Sequence, residues 1–276
     1  MTENAIEGHQ RESRHTSGPL PGRNQHNAAD MDSPATGLMA RIRRPLRGDV
    51  SWNWVDVALF LVLAFLAVSV VGFFAVAGIP RLLAIFSFSD EARQAYASLL
   101  EEATFYATAI AVLLVVLRSR HGAGTGALGW RRVRWFWIPA AVVGGLVSFK
   151  VVDVAATWIQ QLFPGAQNGQ IPAVQQSFGH LLVVGLLVVS IIAPIAEETV
   201  FRGFIYAWMR RHLNVPFSAV LSGAFFALLH FQPIIFVPLL LLGVVLALIY
   251  EYSGSIVPGI IVHGVFNAIE IALILH

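Results

Sequence analysis

The sequence predicts an all-α fold, a polytopic membrane bundle of about seven transmembrane helices. Three observations carry that prediction. The 276 residues are 57% hydrophobic and only 12% charged, and the mean hydropathy is +0.70. A soluble domain of this length needs far more charge to cover its surface. The apolar residues also fall in long blocks rather than an even scatter, and blocks of about 18 or more read as membrane spans. Arginines, finally, recur in alternate loops, the pattern that sets orientation in a bilayer.

Met1 to about Asp49 is polar and rich in Gly, Pro, Ser, Asn and His, without apolar periodicity. Such a stretch buries too little surface to offset the entropy of ordering, so residues 1–50 are expected to be a disordered cytoplasmic tail ahead of a membrane domain at 51–276. No apolar core follows Met1 closely, so the first span is expected to act as a signal anchor. Arg41, Arg43, Arg44 and Arg47 stand directly before that span, and Trp52 and Trp54 suit the interface.

The spans are expected at about Trp54 to Ala77, Ala103 to Leu117, Phe136 to Ile159, Leu181 to Trp208, Phe217 to Phe231, Ile234 to Tyr250 and Ile256 to Leu275. An amphipathic segment, Asp90 to Glu102, leads into the second. The fifth is short, about 22 Å at 1.5 Å per residue, less than a full hydrocarbon core. Arg118, Arg120, Arg131, Arg132 and Arg134 follow span two, and Arg210 and Arg211 follow span four, while Gln160 to His180 holds no Lys or Arg. A multi-pass cell-membrane protein with its N-terminus in the cytoplasm and its C-terminus outside satisfies this alternation. The absence of cysteine excludes disulfides, thiolate metal sites and a cysteine nucleophile. A net charge of +2 gives no sign of a nucleic-acid partner. Nothing in the sequence bears on oligomeric state.

Charged residues inside a membrane cost at least about 2.5 kcal/mol each on insertion scales and mark functional sites. Span four carries Glu197, Glu198 and Arg202 just after Pro194, where a kink is expected because proline lacks the backbone donor. Glu198 and Arg202, at i and i+4, can neutralise each other. Glu197 projects about 100° away and is the freer carboxylate, able to serve as a general base. Phe226 and His230 close the short fifth helix ahead of Pro233, and His263 and Asn267 share a face of the last helix, extended by Glu270. Each group also has a plainer reading: a charged helix end, a helix cap, and a hydrogen-bonding stripe between helices. Together they are a set for amide hydrolysis by an activated water. Glu197 supplies the base, and His230, His263 and Asn267 can bind the water or a developing oxyanion. Lys150 and Asp153 in span three are spaced for a local ion pair, with Glu270 as another partner for Lys150, and a structural role is expected.

At these residues the chain resembles the CPBP family of intramembrane endopeptidases, which includes the type II CAAX-prenyl proteases and bacteriocin-processing or immunity-associated relatives. Glu197-Glu198-Thr199-Val200-Phe201-Arg202 followed by Gly203 is similar to the family's Glu-Glu-x-x-x-Arg motif. Phe226 to His230 is similar to its Phe-x-x-x-His motif, and His263 to Asn267, after Gly254-Ser255-Ile256-Val257-Pro258, to its His-x-x-x-Asn motif. The resemblance spans residues 183–273. It implies a catalytic cavity within the bilayer and a membrane-associated peptide or protein as substrate. It also implies Glu197 as the base, His230 as a water ligand, His263 and Asn267 at the oxyanion, and Glu198, Arg202 and Phe226 in support. Glu197, His230 and His263 could instead form a three-ligand zinc site, but there is no His-Glu-x-x-His helix, and a metal-free site is expected. Two other functions fit the same residues. One is a non-catalytic scaffold or peptide-binding protein. The other is a proton-coupled transporter, against which stands the absence of an internal repeat.

Overall fold

In this computed structural model, residues 50–166, 168–178 and 181–275 are described. The expected polar tail lies outside them. Every regular element among the described residues is helical. The helices are α1 (Trp54–Leu83), α2 (Asp90–His121), α3 (Trp137–Leu162), α4 (Gln170–Phe178), α5 (Val183–His212), α6 (Val215–Leu228), α7 (Phe236–Ser253) and α8 (Ile256–Leu275). Six of them, all but α4 and α6, are long and apolar enough to cross a membrane. The seventh apolar helix, α6, has 14 residues. At 1.5 Å per residue it reaches about 21 Å, short of a hydrocarbon core of about 30 Å, as the sequence indicated for the fifth span.

Local chemistry explains the boundaries. Asn53 and Asp56 form a capping box at the start of α1, which satisfies amide groups the first turn leaves open. Nothing between Asp90 and Leu117 breaks a helix, so the expected amphipathic lead-in and span two are one helix. It is capped by Ser89 and ended by Gly122 at φ 61°, a left-handed position glycine takes at no steric cost. Helix α5 is not uniformly α-helical. Two π-helical stretches, Val188–Ile192 and Thr199–Tyr206, flank Ala193–Glu198. Pro194 brings no N–H to this region, and the wider π turns on either side accommodate the lost donor. Helix α4 lies in a stretch read from sequence only as an uncharged loop.

In lipid, leucine gains nothing from leaving the solvent, so helix association rests on close packing and polar contacts. Both are present. Asp56 is fully buried against Arg120 and His121, the latter 2.9 Å away, which fastens the start of α1 to the end of α2. Arg210 holds Glu251 through two hydrogen bonds of 2.9 and 3.1 Å, and the Tyr206 hydroxyl donates to the same carboxylate. Trp52 is not an interfacial ring: it is fully buried, and its Nε1–H donates to the Phe204 carbonyl. That bond gives the indole a partner inside the protein that water would otherwise supply. Trp54, by contrast, is exposed.

Small residues bring the functional helices together. A Cβ on Gly243 of α7 would lie 2.6 Å from the Gly223 Cα of α6, and one on Gly264 of α8 would lie 2.5 Å from the Ser190 carbonyl of α5. Gly264 follows His263 directly, so its contact sets the depth of that side chain. Gly264→Ala is therefore expected to destabilise the fold by about 1–3 kcal/mol. Thermal unfolding in detergent is the check, with Gly72→Ala, which meets nothing within 4 Å, expected to leave the midpoint unchanged.

Candidate active site

The charged residues of α5 divide as the sequence indicated. Glu198 and Arg202 are fully buried and joined by a hydrogen bond of 2.8 Å from Nη1 to Oε1. The second guanidinium nitrogen donates to the Gly243 carbonyl at 3.1 Å. The guanidinium also lies 4.8 Å from the centre of the Phe226 ring, where the negative face of the aromatic offsets part of the lost hydration. Phe226, the first residue of the second motif, thus supports the cation. Gly243 can present its carbonyl there because α6 and α7 approach at Gly223.

Glu197 stands differently. Its side chain keeps 15% of its exposure and lines a cavity of about 370 Å³. That volume falls in the range of small-ligand sites. His230, His263 and Asn267 line the same cavity, as does Glu270. The structure therefore brings together the residues expected to carry the chemistry, from α5, α8 and the turn after α6.

Hydrogen bonds orient each of them. His230 Nδ1 is 2.8 Å from the Phe226 carbonyl. A carbonyl only accepts, so Nδ1 carries the proton and Nε2 is the free ring nitrogen. His263 bridges the two glutamates, with Nδ1 at 3.2 Å from Glu198 Oε1 and Nε2 at 3.8 Å from Glu197 Oε2. Its ring packs edge-on to Phe226 at 5.7 Å. Asn267 donates from Nδ2 to the Val189 carbonyl at 2.7 Å, in the first π stretch of α5. One amide hydrogen is thereby used to hold α8 against α5, and the other remains for a ligand.

Two cavity residues were not singled out from the sequence. Glu102 and Tyr106 of α2 line the same space, and the Tyr106 hydroxyl donates to Glu197 Oε1 at 2.8 Å. Their i, i+4 spacing at the head of an apolar run is the sequence signal for them, and it is masked by the amphipathic pattern of Asp90 to Glu102. Lys150 pairs within its own helix, 3.9 Å from Asp153, with both side chains largely exposed. Among the described residues, no three His, Asp or Glu side chains are arranged to hold a metal ion.

Residues 179–269 match the family of Type II CAAX prenyl endopeptidase Rce1-like proteins. The match covers about a third of the chain, contains all three motifs, and is consistent with a protease of the CPBP family. No curated protein and no solved structure matched in the corresponding searches. The six helices long and apolar enough to cross a membrane describe an integral membrane protein, and its second half is similar to the CAAX-type proteases.

The buried pair gives a stability prediction. Arg202→Ala removes the partner of a carboxylate with no access to water, and breaking a buried pair from one side costs about 3–5 kcal/mol. The expected result is a large fall in the yield of folded protein and in its unfolding midpoint. A variant as stable as wild type would show that the pair does not hold the core.

Proposed function

We propose that the protein is an intramembrane endopeptidase that hydrolyses peptide bonds of membrane-associated peptides or proteins with a water activated by Glu197. The observation that carries this reading is the unequal placement of two adjacent glutamates. Glu198 is spent on Arg202 and His263, while Glu197 faces a cavity together with His230, His263 and Asn267.

The steps follow from the donors and acceptors. A water in the cavity gives one hydrogen bond to Glu197 Oε2 and another to the free Nε2 of His230, so its lone pair is directed at a scissile carbonyl. As the water oxygen bonds to the carbonyl carbon, its proton passes to Glu197. Negative charge develops on the carbonyl oxygen. The second Asn267 N–H can donate to it. His263, which lines the same cavity with its Nε2 toward Glu197, is the other group to stabilise that charge. Glu197 returns its proton to the leaving nitrogen as the C–N bond breaks, which yields a carboxylic acid and an amine. No side chain bonds to the substrate and no metal takes part in this scheme.

Orientation follows from the arginines. Arg120 of α2 lies at Asp56 near the start of α1, and Arg211 at the end of α5 donates to the Val50 carbonyl. The amide of Ile256, which opens α8, donates to the Gly129 carbonyl in the loop after α2. These ends share one face, and the positive-inside rule assigns it to the cytoplasm. The N-terminus is then cytoplasmic, and α8 rises from that face to leave the C-terminus outside. Helices α6 and α7 enter and return, so the assignment holds whether or not α6 crosses the whole bilayer. Prenylated C-terminal peptides, leader peptides and membrane-protein segments that reach the cavity are the candidate substrates.

Glu197→Gln keeps the shape of the side chain and removes the base. Cleavage of a library of membrane-associated peptides by purified protein in liposomes is expected to fall by about a thousand-fold or more, with the unfolding midpoint retained. Cleavage by the variant at the wild-type rate would remove Glu197 from its role, and binding without cleavage by wild type would indicate a peptide-binding scaffold instead. A chelator is expected to leave the rate unchanged. Inhibition that added zinc reverses would overturn the metal-free scheme.

A further inference from the structure

We infer that Tyr106, on a helix outside the Rce1-like segment, is a positioning residue that holds the Glu197 carboxylate in its reactive orientation. The inference rests on the protease reading above.

The two glutamates of α5 are restrained by different means. Glu198 is fixed by a cation, an imidazole and full burial. Glu197 has no such cage. Its Oε2 stands 3.8 Å from His263 Nε2, beyond a direct hydrogen bond. Among the described residues its direct hydrogen bond comes from Tyr106, whose hydroxyl is 2.8 Å from Oε1. The terminal torsion of a glutamate is broad and about two-fold, so packing alone sets the carboxylate plane poorly. A donor on one oxygen removes that freedom and leaves the other oxygen, on the His263 side, for the water.

The phenol suits this task. It reaches the carboxylate from a backbone on a neighbouring helix, it is charge-neutral in an apolar setting, and its ring fills part of the cavity wall. Helix α2 touches the middle of α5, including Ala193–Glu198, so the bond is made where α5 carries its charged residues. The site is thus not complete within residues 179–269. The motif-bearing helices supply the base and the oxyanion donors, and α2 supplies the group that aims the base.

A polar bond between two helices can also be simple glue, and the experiment separates the two roles. Tyr106→Phe removes one oxygen and keeps the ring. In the full chain reconstituted in liposomes, kcat on a cleaved peptide is expected to fall about ten- to a hundred-fold, the usual weight of a hydrogen bond to a charged group, with KM within about two-fold. A trifluorotyrosine at position 106, which keeps shape and hydroxyl but changes its acidity, is expected to change kcat and not KM. A role in packing alone predicts a lower unfolding midpoint with kcat unchanged in both variants, and that result overturns the inference. The contact itself is read without catalysis, by unfolding of Tyr106→Phe, Glu197→Ala and the double variant. Non-additive shifts support the bond and additive shifts overturn it. If wild type cleaves but Tyr106→Phe cleaves equally well, only this inference fails. If wild type cleaves nothing, the protease reading falls first and the positioning role falls with it.

Discussion

The structure depends on one buried cation. Arg202 has no access to water, and an uncompensated guanidinium in such a place is far too costly to persist. Its neighbours are arranged around that constraint: Glu198 one turn before it, the Gly243 carbonyl on α7, and the face of Phe226 on α6. Three helices are thereby tied to a single charge. Because Glu198 is committed to that charge, and is bonded to His263 as well, the adjacent Glu197 is the carboxylate left to face the cavity. The unequal placement of two identical side chains thus follows from the pairing of one of them.

The remaining geometry follows from how helices approach in lipid. Apolar surface provides no preference for protein over bilayer, so the site needs contacts that lipid cannot imitate. Gly264 lets α8 reach the Ser190 carbonyl, and Asn267 bonds to Val189 one residue earlier on α5. Both contacts fall on a π-helical stretch, where carbonyls are turned away from their usual helical partners. The shortness of α6 matters for the same reason. Ending its helix at Leu228 places His230 in a turn that lines the cavity, where irregular backbone is tolerated because its polar groups are not left to lipid.

Much of this was legible in the residues. Block hydropathy defines the crossing helices, and α8 runs from Ile256 to Leu275 as expected. The i, i+4 spacing of Glu198 and Arg202 anticipates their pairing, and the short fifth helix is readable from its length. The convergence of Glu197, His230, His263 and Asn267 on one cavity could only be expected, because spacing along helices does not specify which faces meet. Three features escaped for identifiable reasons. Tyr106 lies in a different helix, 91 residues from its partner, so no local pattern connects them. Trp52 looks like an interfacial anchor in sequence, but a carbonyl 152 residues away accepts its N–H. The π turns of α5 depend on how a proline-bearing helix is packed by its neighbours, which local propensity does not encode.

The central claim is that an activated water, and no protein side chain, attacks the peptide bond. The most direct measurement is a single-turnover cleavage in heavy-oxygen water, with enzyme in excess over peptide and the new carboxyl group of the product examined by mass spectrometry. Direct attack by water held at Glu197 predicts that the product from the first turnover carries the heavy label and that the enzyme carries none. A first-turnover product without label, with heavy oxygen appearing instead in the Glu197 carboxylate, would mean that Glu197 had formed a covalent intermediate, and would contradict the account.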